Sequence, residues 1–155
     1  MDLRRGWMDT KWGQAGMTLI EVLVALVVFS IGALGVAMLQ LNALKHTDSA
    51  MRSTQANFIA QDLLERIRAN PGANYALSSL SQAPTSGNPE NPRDQDLFDF
   101  ADQLRRRVGE DAEASVSVVG AHVTLALEWD DSRAEGETGH RQTLTLSSLT
   151  QALRP

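Results

Sequence analysis

The chain starts with a polar segment, changes to an apolar stretch, and becomes amphipathic from about Gln40 onward. Between Val22 and Leu39 the one polar side chain is Ser30, and from Met17 to Leu39 the one formal charge is Glu21. About 20 apolar residues in helical form cross roughly 30 Å of hydrocarbon. The pattern therefore predicts a membrane-spanning helix at 17–39.

The helical pattern continues beyond the apolar stretch. No proline occurs between Met17 and Asn70, and Asn70-Pro71-Gly72 is a helix stop because proline disfavours a helical residue before it. One helix from about Thr18 to Ala69 is predicted, roughly 78 Å long at 1.5 Å per residue. Apolar residues at helical spacing predict the stripe that packs on the rest of the chain: Leu41, Leu44, Met51, Phe58, Ile59, Leu63 and Ile67.

The C-terminal part predicts a short helix and a small antiparallel sheet, so the fold class is α+β. Proline, serine and glycine mark a loop over Gly72–Asp96, and Asp96–Val108 has the apolar spacing of a helix. Ser115–Trp129 alternates between apolar and polar positions and is predicted as two strands that turn at Gly120-Ala121. A polar connection over Asp130–Gly139 and a last strand over His140–Ser148 complete the prediction.

Composition excludes several kinds of site. The chain has no cysteine, so zinc-thiolate and iron–sulfur centres are excluded, and its three histidines lack ligand spacing. Asp130, Asp131, Glu135 and Glu137 lack the order of a calcium loop and are predicted to be a solvated connection. We find no phosphate loop or nucleophile motif, and we predict no catalytic residue, no metal, no cofactor and no enzymatic activity. A net charge of −5 disfavours nucleic acid as a partner.

The order of the first segments is unusual. A secretory signal peptide has its small-residue cleavage site after the apolar stretch, whereas here Ala15-Gly16 precedes it. Cleavage after Gly16 would remove residues 1–16 and leave the span attached. Through the stretch Gly16–Leu26 the sequence resembles type IV pilins and pseudopilins. That resemblance implies cleavage by a prepilin peptidase between Gly16 and Met17, N-methylation of Met17, and Glu21 as the fifth mature residue.

Glu21 is costly where it stands, because an ionised carboxylate in a membrane span costs at least a few kcal/mol. In the pilin family the equivalent carboxylate is thought to pair with the N-terminal amine of an adjacent subunit, which implies the same assembly role here. The alternative is a carboxylate that snorkels to the membrane interface. Gly32 and Gly35 predict a place where the helix loosens or packs closely against another helix.

A closer resemblance covers Ile20–Gly32, Gln61–Pro71 and Trp129-Asp130-Asp131, which are similar to the type IV pilus modification protein PilV family of minor pilins. It implies a type IV pilin fold, a role in initiating pilus assembly, and a place near the fibre tip with other minor pilins, the major pilin and a large adhesin. Two alternatives remain: a minor pseudopilin of a type II secretion system, and an anchored periplasmic binding domain that does not polymerise.

The domain plan follows from these segments. Residues 1–16 are the predicted leader, 17–39 the span, 40–70 the distal half of the helix, and 71–155 a periplasmic domain with a variable loop. The leader has more basic than acidic residues, the basic ones being Arg4, Arg5 and Lys11. The N-terminus of the chain is therefore expected to stay cytoplasmic. The expected location is the inner membrane, and later the pilus fibre.

Overall fold

The computed structural model describes residues 18–132 and 139–150. Within them lie two α-helices and one sheet, connected by a loop that contains a short 3-10 turn at Leu80–Gln82. The elements are α1 (Leu19–Ala69), α2 (Pro92–Arg107), β1 (Glu113–Val119), β2 (His122–Asp130) and β3 (Arg141–Leu149). The predicted α+β class, with a long N-terminal helix and a small antiparallel sheet, is confirmed.

By their internal contacts, the residues divide into two units, Met1–Gln40 and Leu41–Pro155. In the first unit every described residue is exposed. This includes the large apolar side chains of that part of α1 which belongs to the first unit. The second unit contains the hydrophobic core, to which α1, α2, the sheet and the loop between the helices all contribute. The described residues of the first unit therefore present an exposed apolar surface, whereas the second unit has a core of its own.

The face of α1 that packs in the core differs from the predicted stripe. Ile59, Leu63 and Ile67 are buried as predicted, but Leu44, Met51 and Phe58 are 65%, 60% and 66% exposed. The buried face instead includes two alanines and one leucine: Ala56, Ala60 and Leu64. The prediction merged two series, because Phe58 and Ile59 are adjacent and therefore point about 100° apart around a helix.

The sheet has the order β1-β2-β3 with both pairs antiparallel. β1 and β2 form a hairpin in which Val119 pairs with His122, and the turn between them is Gly120-Ala121, as predicted. Gly120 has a φ of 61°, a value that suits glycine at the first central position of a two-residue hairpin turn. Alternate residues of β2 are buried against the core: Val123, Leu125, Leu127 and Trp129.

Helix α2 starts at Pro92, four residues before the predicted start at Asp96. Proline is favourable in the first helical turn because its fixed φ is helical and its missing N–H has no partner there in any case. Asn91 precedes it in an extended conformation, and the carbonyl of Asn91 accepts hydrogen bonds from the N–H groups of Asp94 and Gln95. The predicted loop over Gly72–Asp96 is therefore too long at its end, because Pro92 belongs to the helix.

The loop after α1 contributes to the core, although its composition predicts only a loop. Tyr75, Leu77 and Leu80 are buried, and the Tyr75 hydroxyl donates to Asp96 Oδ2 at 2.7 Å. Asp96 also accepts a hydrogen bond from Arg66 Nη1 at 2.9 Å. This network joins the end of α1, the loop and the first turns of α2.

A pH-dependent stability follows from this network. Burial, reinforced by the hydrogen bond to Asp96, raises the pKa of Tyr75 to about 12. The ordinary value is about 10, so the folded state holds the phenolic proton more tightly, and this stabilisation is lost as pH rises from about 10 to about 12. In denaturant titrations, the wild type should exceed Tyr75→Phe by about 1 kcal/mol at pH 8, and this margin should shrink across that window. A margin that stays constant to pH 12 would contradict the assignment.

Candidate functional site

Glu21 lies in the first turn of α1 and is exposed. Its backbone N–H donates to the carbonyl of Thr18 at 3.0 Å, which starts the helix. A negative charge is favourable at this end of a helix because the backbone N–H groups there carry partial positive charge. The position therefore tolerates the carboxylate locally, although the surrounding side chains are apolar.

The surroundings of Glu21 form a shallow apolar groove along one side of the helix. The groove is lined, besides Glu21, by Ile20, Val24, Ala25, Val28 and Phe29. Among the described residues no ion pair involves Glu21, and the described part of its unit, residues 18–40, contains no basic side chain. Any cation that pairs with Glu21 in an apolar medium must therefore come from residues outside that part or from another molecule.

The two glycines of the apolar half are part of a continuous helix. A Cβ atom built on either Gly32 or Gly35 meets no atom within 4 Å, so packing within the described chain does not require glycine at these positions. The nearby Ser30 hydroxyl donates to the Leu26 carbonyl at 2.7 Å, which satisfies that polar group inside the helix. The predicted role of the glycines in flexibility or close packing stays a prediction.

The predicted cleavage and methylation residues, Gly16 and Met17, lie outside the described residues. Leu19–Ala69 contains a window that is long and apolar enough to cross a membrane, by length and composition, and none of that window is buried. In the second unit, α1 carries a stripe of exposed apolar side chains: Leu41, Leu44, Met51 and Phe58. The apolar spacing of these residues predicts a place in the core, and for these four that prediction is wrong.

A buried polar contact joins α1 to the end of β2. Ser49 Oγ donates to Asp131 Oδ2 at 2.5 Å, and the Asp131 N–H donates to the carbonyl of His140 at 2.8 Å. Asp131 is only 4% exposed, so its predicted place in a solvated acidic loop is wrong. The predicted loop residues Glu135 and Glu137 lie outside the described residues. In the described ranges, no group of acidic and histidine side chains is arranged to hold a metal ion.

Loss of the Ser49 hydroxyl should destabilise the second unit. Ser49→Ala leaves a buried carboxylate oxygen without this donor, which costs about 1–3 kcal/mol. Thr54→Ala is the matched control, because the Thr54 hydroxyl bonds to the Ala50 carbonyl on the exposed face of the same helix. We expect the control to change the free energy of unfolding by less than about 0.5 kcal/mol. Equal urea midpoints for the two variants would contradict the role of the Ser49–Asp131 bond.

These features define a class of protein: a small α+β unit whose first helix extends into an exposed apolar half of membrane length. Two family profiles match the chain. The profile described as a prokaryotic N-terminal methylation motif covers residues 13–37, and the profile described as type IV pilin Tt1218 covers residues 38–92. The chain belongs to the type IV pilin superfamily. No curated protein and no solved structure matches it.

Membership of the superfamily gives the site a context. The methylation motif covers the positions of Gly16, Met17 and Glu21, and it implies processing by a prepilin peptidase and assembly with other pilins. The apolar half of α1 fits a pilin that is anchored in the inner membrane and incorporated into a pilus. Pilins are generally structural rather than enzymatic proteins.

Proposed function

We propose that the protein is a minor type IV pilin of the PilV kind, which takes part in initiating pilus assembly and is incorporated near the fibre tip. The observation that carries the proposal is the methylation motif over residues 13–37, which contains Glu21 in an open apolar groove. The minor-pilin assignment is supported by the resemblance of Ile20–Gly32 and Gln61–Pro71 to that family.

The proposed mechanism uses the cost of an unpaired charge. Peptidase cleavage after Gly16 exposes the amine of Met17, and the carboxylate of Glu21 pairs with that amine in an adjacent subunit. A buried charge without a partner is strongly unfavourable, whereas a complementary charge at hydrogen-bonding distance offsets much of the cost. Lateral entry of the subunit into a growing fibre is therefore favoured over isolation in lipid.

The proposed arrangement follows the segments of the chain. Residues 1–16 are removed on the cytoplasmic side, 17–39 cross the inner membrane, and 40–70 continue the helix into the periplasm beside the domain 71–155. The partners are other minor pilins, the major pilin and a large tip adhesin. The exposed stripe that ends at Phe58 provides apolar surface for helices of those subunits.

The second candidate is a minor pseudopilin of a type II secretion system. It is favoured by the same observation, because pseudopilins share the N-terminal motif that residues 13–37 match. The two candidates differ in the final location of the subunit. A minor pilin is located in a surface fibre, and a minor pseudopilin in a periplasmic assembly.

Shearing separates the two candidates. An epitope-tagged full-length chain, expressed at native level, should be recovered in sheared surface fibres at a low ratio to the major pilin. A protein anchored in the same membrane and unrelated to pilins is the control for lysis. Absence from the sheared fraction, combined with loss of secreted enzymes on deletion, would replace the pilus proposal with the secretion proposal.

A further inference from the structure

The residue before α1 occupies the capping position of the helix. The carbonyl of Thr18 accepts hydrogen bonds from the N–H groups of Glu21 at 3.0 Å and of Val22 at 3.3 Å. The bond from Val22 spans four residues and is therefore the first of the α-helical pattern. Because α1 begins at Leu19, Thr18 is the N-cap residue and Glu21 is the third residue of the helix.

The residue types at these two positions match a reciprocal capping pattern. Threonine is among the preferred N-cap residues, and a glutamate or glutamine three residues later completes the pattern before an apolar run. In this arrangement the cap hydroxyl accepts from a backbone N–H of the first turn, and the carboxylate accepts from the N–H of the cap residue. In the described chain both side chains are exposed, and neither makes a hydrogen bond to the described residues.

An apolar medium makes such a cap necessary. The first N–H groups of a helix lack an intrahelical partner, and water cannot supply one within hydrocarbon. Between Thr18 and Phe29, only Thr18 and Glu21 have side chains with hydrogen-bonding atoms. The next polar residue, Ser30, already donates to the carbonyl of Leu26. Within this stretch, Thr18 and Glu21 are therefore the only side chains that can cap the start of α1.

We propose that Thr18 is a positioning residue for Glu21, because in the membrane the two side chains form a reciprocal cap. The Thr18 hydroxyl accepts from the N–H of Ile20 or Glu21, and the Glu21 carboxylate accepts from the N–H of Thr18. The cap holds the carboxylate at the start of the helix, in the groove that it lines, where a cation of another subunit can reach it. This inference rests on the proposed function.

The reciprocal cap and the ion pair are compatible at one carboxylate. An ionised carboxylate has two oxygens and accepts several hydrogen bonds, so one oxygen of Glu21 can accept from Thr18 while the other accepts from an ammonium group. Helical side chains also lean toward the N-terminus, which brings the carboxylate back over the first turn. Ordering the side chain before the encounter lowers the entropy that pairing has to offset.

A snorkelling carboxylate would behave differently. Its oxygens would be hydrated at the membrane interface, and the N–H of Thr18 would bond to water rather than to Glu21. The Thr18 hydroxyl would then have no effect on the carboxylate. The two arrangements therefore differ in the protection of one backbone N–H and in the effect of one hydroxyl group.

Amide exchange of the mature chain in phospholipid nanodiscs, followed by NMR, tests the cap. Glu21→Gln keeps an acceptor for the N–H of Thr18 but removes the charge, whereas Glu21→Ala removes both. We expect the Thr18 N–H to exchange at least about fivefold more slowly in the wild type and in Glu21→Gln than in Glu21→Ala. Equal exchange in the wild type and Glu21→Ala, or loss of protection in Glu21→Gln, would overturn the proposal.

Incorporation into fibres tests the positioning role. Thr18→Ala removes the cap hydroxyl and Thr18→Ser restores it, while Ser30→Ala removes a hydroxyl of the same apolar half that caps nothing. The amount in sheared fibres is divided by the mature pool in the membrane, which corrects for any change in processing. We expect a loss of about fivefold for Thr18→Ala. Thr18→Ser and Ser30→Ala should stay within about twofold of the wild type.

The outcomes are distinguishable from failure of the proposed function. If the wild type is absent from sheared fibres, the proposed function fails, and the exchange measurement still decides whether the cap exists. If the wild type is present and Thr18→Ala is incorporated equally well, the proposed function stands and the positioning role of Thr18 is wrong. The exchange comparison leaves Thr18 unchanged, so it does not depend on processing of a Thr18 variant.

Discussion

Gly16→Val should leave a full-length precursor in the membrane, with almost no mature protein. The residue before the scissile bond must fit a peptidase that cuts beside a helix start at the membrane face, and glycine presents no side chain there. We expect at least a tenfold loss of processing, measured by N-terminal sequencing and by the mobility shift that removal of residues 1–16 produces.

Gly13→Val is the control for this prediction, because it adds the same side chain to the same leader three residues earlier. That variant should be processed like the wild type. N-terminal sequencing of the wild-type protein should begin at Met17. A mature protein that begins elsewhere, or normal processing of Gly16→Val, would contradict the assignment of the cleavage site.

Long-range periodicity was the most reliable guide to the fold. The helix was predicted from Thr18 to Ala69 and observed from Leu19 to Ala69, because proline disfavours a helical residue before it and Asn70-Pro71-Gly72 is therefore a strong helix stop. Strand β2 was equally predictable, since four apolar residues at a period of two lie on one face of a strand. Both predictions depend on local backbone geometry, which a single sequence contains.

The errors arose where burial depends on what packs opposite. Phe58 is large and apolar but faces away from the core, while Ala56 and Ala60 are fully buried. Asp131 resembled a solvated loop residue, and its burial depends on Ser49, which is distant in sequence. Neither the buried face of α1 nor the contact between Ser49 and Asp131 has a local signal in the sequence. Neither was therefore predictable from periodicity or composition.

The candidate site, unlike the buried face of α1, could be identified from the sequence. Glu21 was identified from the sequence because a charge within an apolar stretch stands out against its cost. Its proposed partner belongs to another subunit, so the geometry of one chain reveals the need for a cation without supplying it.

Glu21→Ala should separate anchoring from assembly. Removing a charge from the span makes membrane insertion as favourable as in the wild type or more so. Incorporation into the fibre should fall, because the Met17 amine of a neighbouring subunit is then buried without its partner. Breaking a buried pair from one side costs about 3–5 kcal/mol, and 3 kcal/mol corresponds to more than a hundredfold in an equilibrium.

The test expresses the variant in a strain that lacks the native copy and compares processing, membrane level and amount in sheared fibres. Glu21→Asp is the control that keeps the charge on a shorter side chain, and it should incorporate better than Glu21→Ala. A carboxylate that only snorkels to the interface would leave all three measurements unchanged in both variants. Normal membrane level with lost incorporation is the expected result, because it requires Glu21 to act between subunits rather than within one.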